Sequence, residues 1–247
     1  MTHQPILAAV FMLALAACSG CNGSPGRPKS DSEIIPPSQI MEFSLLYSQN
    51  CAGCHGANGK GGAAIALANP VFLAIADDSV IRRTAANGVP GTAMPAFAQS
   101  AGATLTDKQI DALVSGIRSW AKSDILNNVM IPPPYSSETP GDSQRGAEAY
   151  RTYCSSCHGA DGRGGNKASS IVDGAYLALV SDQELRTIVI AGRPELSAPD
   201  WRGDVEGRPM SAEEISDVVA WLSSHRTQFP GQPYSISSTD GGKGGPR

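Results

Sequence analysis

The chain has 247 residues, of which 41% are hydrophobic, 17% charged and only 6% aromatic, and its formal charge is −4. This mild acidity argues against a nucleic-acid binder, which needs a basic face, and also against a polybasic membrane anchor. So few rings leave cores that are small or filled partly by something other than protein, while 27 glycines and 18 prolines point to long loops and linkers.

In chain order, the first feature is an apolar run over residues 6–17. It is too short to span a bilayer but suits the apolar stretch of an export signal. The run ends Leu15-Ala16-Ala17-Cys18, which resembles a bacterial lipobox, whose cysteine takes lipid and becomes the mature N-terminus. One departure is the absence of Lys or Arg ahead of the run, where only His3 stands. The expectation is a signal peptide over 1–17, lipid on Cys18 and a polar tether over 18–35. The rest then works outside the cytoplasm, periplasmic or extracytoplasmic, held at a membrane by acyl chains. Cys21 receives no role.

An internal repeat organises the remainder of the chain. Cys51-Ala-Gly-Cys54-His55-Gly-Ala-Asn-Gly-Lys-Gly-Gly aligns with Cys154-Ser-Ser-Cys157-His158-Gly-Ala-Asp-Gly-Arg-Gly-Gly at an offset of 103. The offset is 104 where Phe72-Leu73 meets Tyr176-Leu177 and Gly88-Val-Pro90 meets Gly192-Arg-Pro194, and 105 where Leu105-Thr106 meets Met210-Ser211. Between the copies, Pro132-Pro133-Pro134 and Pro140-Gly141 stiffen a linker and exclude helix. This gives a first domain at 36–122, a Pro-rich linker at 123–141, a second domain at 142–228 and a flexible tail at 229–247.

Both copies read as all-α. Helices are expected at roughly 38–49 and 143–153, leading into the cysteine pairs, and at roughly 79–87 and 182–190, stopped by Gly88 and Gly192. Thr106-x-x-Gln109 and Ser211-x-x-Glu214 are capping boxes. Ile110, Leu113, Val114 and Ile117 then line one face of a last helix, as do Ile215, Val218, Val219 and Leu222 in the other copy. No segment alternates long enough for a sheet.

Two thiols three residues apart at a helix end can bond the two vinyl groups of one haem, with the adjacent histidine facing the iron. Covalent attachment suits an exported protein, and a porphyrin in each copy accounts for the scarcity of rings. A zinc site built from Cys51, Cys54, Cys154 and Cys157 would leave two adjacent histidines as coincidence. A redox dithiol expects a βαβ context.

On these motifs the chain resembles two class I cytochrome c domains in tandem, each a small all-α fold wrapped around one covalent haem. The resemblance implies two c-type haems, one on Cys51 and Cys54 with His55 as axial ligand, the other on Cys154 and Cys157 with His158. The family's first helix often carries a glycine and, four residues on, an aromatic that meets the last helix. Gly146 and Tyr150 match, but in the first copy Phe43 stands where the glycine would be, ahead of Tyr47. A looser or shifted crossing is expected there.

The family's methionine loop is matched by Gly88-Val-Pro-Gly-Thr-Ala-Met94-Pro95-Ala-Phe97, which implies Met94 as sixth ligand to the first iron. A thioether there raises the reduction potential. The second loop reads Gly192-Arg-Pro-Glu-Leu-Ser-Ala198-Pro199-Asp-Trp201, with alanine in the methionine position. Met210 is the sole methionine after His158 and is a candidate ligand, but it aligns with Leu105 just before a helix cap, where an apolar residue staples the helix start. His225, aligned with Trp120, reads as a surface or partly buried histidine. Arg82 and Arg186 are equivalent, and either is a candidate for a haem propionate.

Together these features describe a dihaem cytochrome passing single electrons between extracytoplasmic or membrane-bound respiratory partners, alone or as a subunit of a larger complex. A quinol-oxidising complex, a terminal oxidase and a dehydrogenase are the partners the family implies, with a membrane reached through the lipid and no nucleic acid. Electron transfer stands ahead of an enzyme. The alternative is a dihaem peroxidase-like enzyme or a ligand-binding haem protein that uses an open second haem.

Overall fold

The computed structural model describes residues 35–121, 130–203, 205 and 207–227. The expected export signal, Cys18, the expected tether as far as residue 34, residues 122–129 of the expected linker and the expected tail lie outside them. The chain forms two compact units, 1–39 and 40–247. The described part of the first contains one 3-10 turn, Pro37–Gln39. Both Cys-x-x-Cys-His motifs belong to the second.

Within 40–247 the elements run twice in the same order. The first half has α1 (Phe43–Asn50), α2 (Ala52–His55), α3 (Pro70–Ile75), α4 (Asp78–Asn87) and α5 (Asp107–Arg118). The second has α6 (Ser143–Tyr153), α7 (Ser155–His158), α8 (Gly174–Leu179), α9 (Asp182–Ala191) and α10 (Ala212–Ser223). Among the described residues the only β pairing is three isolated bridges. The all-α expectation therefore holds.

The helix ends follow from local chemistry. Both capping boxes form, with Thr106 and Ser211 each exchanging bonds with the residue three further on. Gly88 and Gly192 end α4 and α9 at φ of +65° and +68°, in the left-handed region that favours glycine. The helix expected from 38 starts at Phe43 instead, because Glu42 is extended at φ −70°, ψ 117° and separates it from the 3-10 turn at Pro37–Gln39. The short helices α3 and α8 carry no periodic signal in the sequence. Their caps are legible once seen: Asn69 accepts from the N–H groups of Val71 and Phe72 ahead of Pro70, and Asp173 accepts from that of Tyr176.

Each half closes by crossing its first helix over its last. In the second, Gly146 of α6 lies against the Asp217 carbonyl of α10, close enough that a Cβ would collide with it. Tyr150 stacks on Trp221 with centroids 4.2 Å apart. In the first, large and small exchange places. The Phe43 ring of α1 fills the space over Gly116 of α5, where a Cβ would meet the ring. Phe43 and Tyr47 both pack edgewise on Trp120, at 5.2 and 5.0 Å. Gly116 is the counterpart of Trp221, so the missing glycine of α1 reappears on the partner helix. The crossing of α1 with α5 is the less extensive of the two, as expected for a ring in place of a backbone contact. Each aromatic pair adds about 0.5–1.5 kcal/mol beyond its burial.

The equivalent arginines have diverged in their partners. Arg82 pairs with Asp107 and Asp111 of α5. Arg186, 3% exposed, donates to the carbonyls of Pro134 and Tyr135 and to Ser216. Gln183 donates to the same Tyr135 carbonyl at 2.8 Å. The end of the linker is thereby clasped to the second half.

Candidate functional site: two histidine turns and two distal loops

The Cys-x-x-Cys-His segments are the same structure built twice. Each first cysteine is at once the C-cap of one helix and the N-cap of the next: the N–H of Cys51 donates to Tyr47 O and that of Cys154 to Tyr150 O, both at 2.8 Å. One helical turn then carries the second cysteine and the histidine. The turn is stopped by Gly56 and Gly159, at φ +76° and +79° with ψ near 180°, a conformation open essentially to glycine alone. A Cβ at either would run into the backbone of Gly61 or Gly164. Tyr47 donates its hydroxyl to Gly56 O, and Tyr150 donates to Gly159 O, tying the helix crossing to the turn.

The histidines are aimed by backbone. Nδ1 of His55 lies 2.8 Å from Ile65 O, and Nδ1 of His158 lies 2.8 Å from Ser169 O. A carbonyl only accepts, so each Nδ1 carries the proton and each Nε2 keeps a bare lone pair, the form that binds a metal. Burial pushes the His55 pKa down, the Ile65 carbonyl partly opposes this, and the Arg193 guanidinium adds to it. These carbonyl partners have no side-chain signature in the sequence, although the similar spacing in both copies marks the segments they stand in.

Cys51, Cys54, Cys154 and Cys157 are free thiols. Burial, then the neighbouring cysteine, raises Cys51 and Cys154 to about 11. Among the described residues no three His, Cys, Asp or Glu side chains converge on one point. The four-cysteine zinc alternative is therefore not assembled, and a dithiol fold has no sheet to stand on. Two unpaired thiols and a bare imidazole nitrogen on one turn are the donor set that fits a covalent haem.

The loops after α4 and α9 share two backbone bonds and differ in a third, since Ala198 N–H donates back to Arg193 O whereas Met94 N–H donates to the Thr92 hydroxyl. Val89 N–H donates to Met94 O at 3.0 Å, and Arg193 N–H donates to Ala198 O at 3.0 Å. Phe97 N–H donates to Ala86 O at 3.2 Å, and Trp201 N–H donates to Ile190 O at 3.1 Å. Met94 is half-buried. Ala198 stands in its place. Met210 is 5% exposed inside the core, its N–H on Trp201 O as Leu105 N–H is on Phe97 O. That is the staple position. His225 lies edgewise on Trp221 at 4.6 Å, with Nδ1 donating to Trp221 O.

The halves touch through the loops around their histidine turns. Arg193, 9% exposed, donates to Gly62 O at 2.6 Å and pairs with Glu195. Buried Asn69 donates to Ala191 O at 2.9 Å, and Ala93 N–H donates to Leu179 O at 3.0 Å. The second half thus covers the first histidine turn. His55 is buried while His158 is half-buried. Arg193 carries no sequence signal beyond replacing Val89.

An all-α chain with backbone-aimed histidines on Cys-x-x-Cys-His turns has the build of a c-type cytochrome. The chain belongs to the family described as cytochrome c oxidase, cbb3-type, subunit III, whose pattern matches residues 38–115 and 141–222. Membership implies covalently bound c-type haem. A cytochrome bc1 complex cytochrome c subunit of Mycobacterium bovis is 24% identical over 181 residues, 72% of this chain and 60% of its own length. A cbb3-type cytochrome c oxidase subunit CcoP of Azospirillum is 29% identical over 162 residues, 59% of this chain and 49% of its own length. The chain thus spans less than two thirds of either relative. Among solved structures, a Kuenenia stuttgartiensis reducing HAO-like protein complex matches 78% of this chain and all of its own at 19% identity and a TM-score of 0.40.

Proposed function

We propose that the protein is a dihaem cytochrome that passes single electrons between respiratory redox partners outside the cytoplasm, as a subunit of a larger membrane complex. The observation that carries this reading is the doubled histidine turn, with its thiols free and its imidazole fixed by a carbonyl in both halves. Cys51, Cys54 and His55 hold one haem, and Cys154, Cys157 and His158 the other. A bound haem supplies a one-electron couple at its iron. The chain fixes each Nε2, would offer Met94 as sixth ligand to the first haem, and presses the loops around the two histidine turns together through Arg193 and Asn69. A rigid surround of this kind lets charge change with little rearrangement.

The relatives are named for a bc1 complex and a cbb3 oxidase, which favours a quinol-oxidising complex or a terminal oxidase as partner over a dehydrogenase. Lipid on Cys18 would hold the protein at the membrane. The test is a haem count on the protein purified from membranes, by alkaline pyridine spectrum and intact mass. Two haems per chain are expected, falling to one in the Cys51→Ser/Cys54→Ser variant and to one in Cys154→Ser/Cys157→Ser. A single haem in the unaltered protein overturns the reading. Cys18→Ala should move the protein from the membrane to the soluble extracytoplasmic fraction.

A further inference from the structure

The second half carries a haem motif without the side chain that would cap it. This inference rests on the two-haem reading above. Ala198 fills the backbone slot of Met94, and a methyl group cannot ligate iron. The loop is also held against rearrangement. Arg193 and Ala198 exchange both backbone hydrogen bonds at 3.0 Å, and Leu196 N–H donates to Arg193 O at 2.8 Å. The Arg193 side chain is pinned to Gly62 O and Glu195, which occupies that carboxylate as well.

The remaining methionines and histidines are placed elsewhere. Met210 is packed in the core at the counterpart of Leu105, and His225 is held on Trp221. Met41 and Met130 are exposed, at 44% and 54%. Beyond the described residues, methionine and histidine occur only at Met1, His3 and Met12, inside the expected export signal.

We infer that the distal face of the second haem, at Ala198, is a binding site for a small exogenous ligand of the diatomic, π-accepting class, such as carbon monoxide or nitric oxide. Binding forms one dative bond from the ligand to ferrous iron, breaks none and consumes no oxidant. The first haem, with Met94 on its loop, stays closed to the same ligand.

The test is a carbon monoxide titration of the dithionite-reduced holoprotein, read by optical difference spectrum against the haem count, with electron paramagnetic resonance of the oxidised protein alongside. One carbon monoxide per two haems is expected, with one high-spin and one low-spin signal. Ala198→Met should drop uptake from one ligand per chain to none and turn the high-spin signal low-spin. Two haems with no uptake overturn the inference, since the chain then supplies a sixth ligand after all. Uptake of two ligands overturns the asymmetry between Met94 and Ala198. One ligand still bound by Ala198→Met, at two haems per chain, overturns the placement at Ala198. A chain with one haem fails the dihaem reading instead, and the haem count tells these apart.

Discussion

The two halves share every element of the histidine turn and differ in what surrounds it. The first has its turn covered by the other half, a methionine in its distal loop and a ring wedged into its helix crossing. The second has a half-buried histidine, an alanine in the loop and a backbone-to-backbone crossing. What is repeated is therefore the cysteine pair and its aimed histidine, and what has drifted is the cover around them. Duplicated units teach this kind of separation directly, because each half is the control for the other.

The comparison breaks first at the turn glycines. Gly56→Ala and Gly159→Ala each force a side chain into a glycine-only conformation and against a carbonyl, at a cost of about 3 kcal/mol each. Equal losses in denaturant midpoint would show that the turns are equivalent, and a large loss at one alone would show that they are not. Next come the crossings. Gly146→Ala meets the Asp217 backbone and should cost about 2 kcal/mol, whereas Gly116→Ala meets the Phe43 ring, which can shift, and should cost less. Calorimetry on both variants checks the order.

Arg193→Gln removes the hydrogen bond to Gly62 and leaves Glu195 without its partner. About 1–2 kcal/mol should be lost, with faster amide exchange over residues 60–69 but not over 164–173. The smallest effect is acid. The Asp142 carboxylate, accepting from the N–H groups of Arg145 and Gln144, has its pKa held below 3.8, so the stability it lends is present above that value and is lost as pH falls through the folded one. Glu42 makes no such cap at α1. Acidification should therefore speed exchange at Gln144 and Arg145 relative to their intrinsic rates, with no matching change at Phe43 and Ser44.

Much of the candidate site is legible in the sequence because its motifs are contiguous: Cys51 to His55 and Cys154 to His158 need no tertiary knowledge to be found. The capping boxes and the helix-ending glycines are equally local. What escapes depends on the third dimension. Nothing near Arg82 or Arg186 tells that one meets Asp107 and Asp111 while the other clasps Pro134 and Tyr135. The carbonyls of Ile65 and Ser169 carry no side-chain signature at all. Arg193 and Asn69 matter because of a contact between halves, which no repeat alignment contains. The short helices α3 and α8 escape because six residues are too few to show a period.

The exchange of ring and glycine at the crossings bears on assembly of the chain. A tandem repeat risks pairing the opening helix of one copy with the closing helix of the other while both are unfinished. Here such a mismatch would set Phe43 against Trp221 and Gly146 against Gly116, one junction overfilled and the other hollow. Each opening helix fits only its own closing helix, so the knob and its hollow act as an identity tag that keeps the two copies from swapping partners as they fold.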